Sequence, residues 1–158
     1  VLFSEILLGS LFIRRAFFVP SILTFTYYDF FSNNQFIFWS NSITNSFIDY
    51  PYNLNPAALI GEYMDTGAHA NNSFLATGYM HAGLGGVILY GSLIGFLFRL
   101  IDSLAVDGVP VWVAIACVIV PMHSLLTSAD LPTAVLTHGV GVSIVLLFLL
   151  RDRRQTES

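Results

Sequence analysis

Residues 79–100 read YMHAGLGGVILYGSLIGFLFRL, and this stretch decides the fold. It holds 22 residues with one arginine, Arg99, at its far end and no carboxylate. A helix of about 20 mainly apolar residues matches the hydrocarbon thickness of a bilayer. No soluble core explains the wider composition either. The chain is 55% hydrophobic and only 10% charged, with a mean hydropathy of +0.72, where soluble domains carry about 25% charged residues. Two further stretches, 109–126 and 133–150, have the same character, joined by short connectors. The expectation is an all-α fold: a polytopic integral membrane helical bundle, multi-pass, in one membrane domain over 1–158.

Orientation follows from the cations. There is no lysine, and the arginines stand at 14, 15, 99, 151, 153 and 154. Cytoplasmic segments collect arginine, so the tail and the Arg99 end face the cytoplasm. The segment ahead of residue 79 then faces out, and between Ser32 and Gly78 it carries Asp49, Glu62 and Asp65 but no cation. Residues 14–78 are therefore expected to be mostly an outer loop or interfacial segment. Arg14-Arg15 admits two arrangements. Either it marks a cytoplasmic turn and residues 16–31 cross, at about 24 Å, or it caps an earlier span on the outside and 16–31 lie along the surface. The second is preferred here, although the positive-inside tendency favours the first. The chain opens with Val1 in an apolar run and is read as the C-terminal part of a longer protein.

Some small motifs carry packing information. Gly78, Ala82 and Gly86 share a helix face, as do Gly91 and Gly95, a spacing that lets helices approach closely. Pro121 should kink the second span. Cys117 lacks a partner for an internal disulfide and reads as a small buried hydrophobe. A basic stripe for nucleic acid is absent, which argues against that class of partner. The histidines lack the spacing of a metal site, so none is expected.

The outer segment gathers aromatic and amide side chains. Thirteen of the 23 aromatic residues lie between Phe17 and Tyr52, interleaved with Asn33, Asn34, Asn41, Asn45, Asn53 and Asn55, and followed by Asn71 and Asn72. This composition suits a membrane-hugging loop. It equally suits a carbohydrate groove, where rings stack on sugar faces and amides meet hydroxyls. His81, His123, His138 and Asp130 also converge on the outer side. Ionisable groups at membrane depth are functional candidates.

The run Arg14-Arg15-Ala-Phe17-Phe18-Val-Pro20, then Tyr27-Tyr28-Asp29-Phe30-Phe31-Ser32, resembles the polysaccharide repeat-unit polymerases (Wzy-type O-antigen and capsule polymerases). The later Ala70-Asn71-Asn72 and Gly78-Tyr79-Met80-His81-Ala82-Gly83 are similar to the same group, so the resemblance covers about half of the chain. It implies a metal-independent glycosyltransferase of the bacterial inner membrane, with no cofactor. Such an enzyme moves a growing glycan from one undecaprenyl diphosphate carrier to the end of a new lipid-linked repeat unit, at the periplasmic face. Implied partners are these glycans, membrane lipids, a chain-length regulator and a flippase.

On that resemblance, Arg14 and Arg15 hold the diphosphate, since arginine forks match phosphate oxygens. His81 is the first choice for the base that takes the acceptor proton, with Asp29 and Asp65 as alternatives. Tyr28, Asn33, Asn71 and Asn72 hold sugar hydroxyls. Three other classes compete, one of them an intramembrane serine protease, faintly suggested by His81-Ala-Gly-Leu-Gly-Gly86 but lacking a G-x-S nucleophile ahead of His81. A transporter of lipid-linked sugar, flippase-like, would use the same polar groups for passage, but transporters place their sites near the bilayer midplane. A scaffold without chemistry would be indifferent to substitution of Arg15 or His81.

Overall fold

The computed structural model describes residues 10–11, 13–42, 44, 46–106 and 109–156. Most of the expected span end over 1–13 (residues 1–9 and 12), Asn45, and the side chains of Arg153 and Arg154 lie outside the described residues or side chains. The described residues form helices and turns without a strand: α1 Val19–Asn33, α2 Pro56–Tyr63, α3 Phe74–Val106, α4 Val111–Thr127, α5 Leu131–Leu136 and α6 Val140–Thr156. The all-α expectation holds.

A π turn, Arg14–Phe18, runs straight into α1, with the Val19 amide donating to the Arg14 carbonyl. Pro20 has no N–H to give and crowds the preceding turn, and a widened turn is one way a helix absorbs this. At its other end α1 stops at Asn34, whose backbone is extended. The side chains of Asn33 and Asn34 reach back to the carbonyls of Asp29 and Phe30 at 3.0 and 2.8 Å, satisfying acceptors the helix has abandoned. α2 starts by the same logic: Asn55 accepts from the Ala58 amide at 3.0 Å, and Pro56 fills the first position, where a missing N–H costs nothing. The expected loop 14–78 is thus about half helical, and its described turns and coil lie within 34–55 and 64–73.

α3 is broken at Ala82 and Gly83. Gly83, at φ 59 and ψ −143, occupies a region open essentially to glycine alone. The chain then folds back on itself. A Cβ on Gly86 would lie 2.0 Å from the Gly78 carbonyl oxygen, whereas these residues would stand about 12 Å apart in a straight helix. The glycine stripe therefore serves contact within α3, between 74–81 and 84–106, rather than a face shown to another helix. The first expected span loses its opening residues to this turn. The third is divided: α5 ends at Leu136, Gly139 takes φ 92, and α6 begins at Val140. By length and composition α3 is long and apolar enough to cross a membrane; α4 and the apolar stretch Val140–Arg151 are shorter.

Two apolar clusters hold these pieces. One joins Tyr27, Phe31, Ile37, Ile60 and Met80; the other joins Tyr90, Ile94, Met122, Leu125 and Leu147. α4 and α6 lie antiparallel, with Gly139 beside Pro121 and the Ser143 hydroxyl donating to the Cys117 carbonyl at 2.7 Å. That carbonyl is the acceptor that Pro121, four residues on, cannot serve. Ser143 fills the gap from the neighbouring helix.

The two ends of this bundle differ. Ile37 and Phe38 donate to the carbonyls of Met80 and His81, so the C-terminal end of α1 meets the break in α3. Thr24 meets Asn72 and Tyr28 meets Tyr79, so α1 runs parallel to 72–79. Arg14 then lies about 28 Å from Asn33 along the helix, Arg99 about 24 Å beyond Gly83, and Arg151 about 18 Å beyond Gly139, at about 1.5 Å per residue. All three lead away from the break. The outward sides are apolar, with Phe25 74%, Leu84 72%, Trp112 73% and Val120 73% exposed.

Candidate functional site

The break in α3 delivers His81 to the centre of the molecule, with no exposed surface. Its Nδ1 accepts the Trp39 backbone N–H at 3.1 Å. In the neutral ring this leaves the proton on Nε2. The Trp39 indole stacks on the imidazole, centroids 4.8 Å apart and planes 15° apart. The indole N–H donates to the Tyr90 hydroxyl at 2.8 Å. Trp39 itself sits at φ 60, a left-handed conformation that costs a non-glycine residue about 1–3 kcal/mol. Its backbone and indole are fixed from both sides by His81 and Tyr90.

His81 Nε2 faces Asp130 Oδ2 at 3.6 Å. This is beyond a hydrogen bond, and Nε2 has no other partner. An unsatisfied buried N–H costs about 1–3 kcal/mol. A shift of about 0.8 Å in Asp130 would close the contact to the length of a charge-assisted bond. Asp130 caps α5, its Oδ1 accepting from the Leu131 amide at 3.0 Å. The carboxylate is 18% exposed.

Asp130 forms part of the wall of a cavity of about 390 Å³. Asn41, Asn55, Asn71, Thr133 and His138 contribute further polar groups, and Tyr27 and Met80 supply apolar surface. Among the described residues lining it, no arginine is present. The volume falls in the range of small-molecule sites. Amides, hydroxyls and one carboxylate can donate to and accept from a polyhydroxy ligand.

The residues expected from sequence separate into those the fold gathers and those it does not. His81, Asn71 and Asn72 come together at the cavity or directly behind it. Asn72 is buried, with its amide on Thr24 at 3.3 Å and its oxygen on the Ser73 amide at 2.7 Å, so it holds the wall. Asn71 is exposed to the cavity. Asn33 is spent on ending α1. Tyr28 packs its ring on Tyr79, centroids 4.9 Å apart. Asp29 accepts from the Tyr63 hydroxyl at 2.7 Å, on an open groove beside Phe25 and Met64. This bond to a carboxylate holds the Tyr63 hydroxyl above the ordinary phenol range. Asp65 is exposed on the turn after α2, at φ 53. Arg14 and Arg15 are exposed in the π turn, at the end of α1 remote from the cavity. The fold therefore does not bring them to His81, because a full helix length intervenes.

His81 also changes character. With Nδ1 occupied and Nε2 directed at Asp130, the neutral ring has no lone pair left for a substrate proton. The carboxylate it faces does. Asp130 was visible in sequence as an ionisable residue between apolar stretches, and Asp-Leu-Pro is a helix-start pattern. Asn41 and Asn55 stood among the asparagines of the aromatic-rich segment, but nothing in the sequence marked them, or Trp39 and Tyr90, as neighbours of His81 and Asp130, because only the fold assembles them. Scanned against models of known protein families, the chain matches none, and neither the curated proteins nor the solved structures yield a match.

Proposed function

We propose that this chain is part of a membrane glycosyltransferase that extends lipid-linked glycans, as its resemblance to the repeat-unit polymerases implies. The observation that carries this reading is the Asp130 carboxylate on the wall of an asparagine-rich cavity, backed by the buried His81. Two features support the membrane setting. The outer flanks of α1, α3, α4 and α6 expose large apolar side chains, more than a soluble monomer tolerates. The arginines at 14, 15, 99 and 151 lead away from the cavity, as cytoplasmic arginines would if the cavity opens to the periplasm.

In the reaction, the cavity holds the acceptor sugar with one hydroxyl on Asp130. The carboxylate takes the hydroxyl proton as the oxygen attacks the anomeric carbon of the donor glycan. The bond from that carbon to the diphosphate oxygen breaks. The lipid diphosphate leaves with the electron pair, and the proton passes from Asp130 to solvent or to the departing phosphate. General-base assistance of this kind is worth about 10²–10⁴-fold.

The test is chain extension by the full-length protein from purified lipid-linked repeat units. Asp130→Asn should lower the rate by about 10²–10⁴-fold while leaving the fold intact, because asparagine caps a helix as well as aspartate does. Extension at the parental rate would overturn the proposal. Export of lipid-linked units without extension would favour the transporter instead.

A further inference from the structure

Resting on that reading, the cavity has a further property, its selectivity between the two halves of a lipid-linked substrate. Such a substrate carries a hydroxyl-rich glycan and a doubly charged diphosphate. We infer that the Asp130 cavity is a subsite for the uncharged sugar alone and excludes the diphosphate, which binds elsewhere on the protein.

The charge inventory carries this. The cavity wall has one carboxylate, Asp130, and no arginine among the described residues. The arginines at 14, 15 and 99 lie toward the other end of the bundle. A phosphate oxygen placed beside Asp130 would meet like charge in a partly desolvated site, where Coulomb terms are strong. The side chain set against Asp130 Oδ2 is the His81 Nε2, at 3.6 Å. In the neutral ring with Nδ1 occupied, Nε2–H is a hydrogen-bond donor that suits a carboxylate oxygen, and it is not a fixed cation like arginine. His138, exposed at the cavity rim, is engaged through Nδ1 with Thr137 Oγ1 at 3.2 Å and the Thr133 carbonyl at 3.3 Å.

Sugar recognition has the opposite needs. A hydroxyl both donates and accepts, and a carboxylate flanked by amides satisfies both roles. Asn41 and Asn71 are exposed on this wall. The orphaned His81 Nε2, wholly buried and aimed at Asp130, fits a carboxylate drawn toward it when a hydroxyl docks.

The experiment uses the full-length protein in detergent. The probes are inorganic diphosphate and the repeat oligosaccharide released from its lipid carrier by mild acid. Saturation-transfer NMR should show the free oligosaccharide bound and inorganic diphosphate unable to displace it. Asp130→Asn should weaken oligosaccharide binding about tenfold, the loss of one charge-assisted hydrogen bond. Asn71→Leu, at an exposed position, should weaken it without affecting thermal unfolding. The inference fails if diphosphate displaces the oligosaccharide, or if neither substitution changes binding. It also fails if the oligosaccharide does not bind. Binding without chain extension would keep the sugar subsite and remove the polymerase reading. Extension with diphosphate seated in this cavity would do the reverse.

Discussion

Removing the His81 ring would take away two different contacts, and they can be separated. Nδ1 receives the Trp39 amide, and Nε2–H faces Asp130. Glutamine places its amide nitrogen near the Nε2 position, whereas phenylalanine keeps only the stack on Trp39. His81→Phe should orphan the Trp39 N–H at a cost of about 1–3 kcal/mol, seen as a lower midpoint in detergent thermal unfolding. It should also cost extension, because Asp130 loses the donor that holds it. His81→Gln should recover part of the extension rate, with KM closer to the parent than in the phenylalanine variant. Equal activity in the two variants would show that the ring serves packing alone. His81 was recognisable in sequence as a polar group in an apolar run. Its role was not, since the partners that fix its tautomer come from residues 42 positions before it and 49 after it.

The helices were readable and their breaks were not. Hydrophobic runs located α3, α4 and α6 because apolar composition is a local property. The turn at Ala82-Gly83 depends on Gly78 meeting Gly86 across the fold-back, which the spacing alone presents as an ordinary packing stripe. Gly86→Ala would force a Cβ to 2.0 Å from the Gly78 carbonyl oxygen. It should unseat 74–81, and His81 with it, dropping thermal stability and extension together. Gly91→Ala meets nothing within 4 Å and should raise stability slightly, by about 0.5–1 kcal/mol of helix preference. A second test lies between α4 and α6. Ser143→Ala leaves the Cys117 carbonyl without the donor that Pro121 denies it. The expected loss is about 1–2 kcal/mol in thermal unfolding, and an unchanged midpoint would mean that the Cys117 carbonyl is satisfied in another way.

At the scale of the molecule, the direction of α1 decides what Arg14 and Arg15 can do. Counting only 16–31 made the segment too short to cross and favoured a surface helix with outer arginines. The helix is in fact continuous from the π turn at Arg14 to Asn33, about 30 Å at 1.5 Å per residue, equal to a hydrocarbon core. Its parallel course beside 72–79 sends the arginines away from the cavity. A protein that obeys the positive-inside tendency would then hold Arg14 with Arg99 in the cytoplasm and open the cavity outward. Single cysteines test this in a Cys117→Ala background. Arg14→Cys should react with an impermeant maleimide only after permeabilisation, and Asn71→Cys in intact spheroplasts. Labelling of both from outside would lay α1 along the surface and return the arginines to the periplasmic side. Labelling of Asn71→Cys only after permeabilisation would put the cavity in the cytoplasm, where a periplasmic polymerase could not use it. The cavity and the direction of α1 share Tyr27, which lines the cavity from α1, but they fail separately, because binding and extension read the first and labelling reads the second.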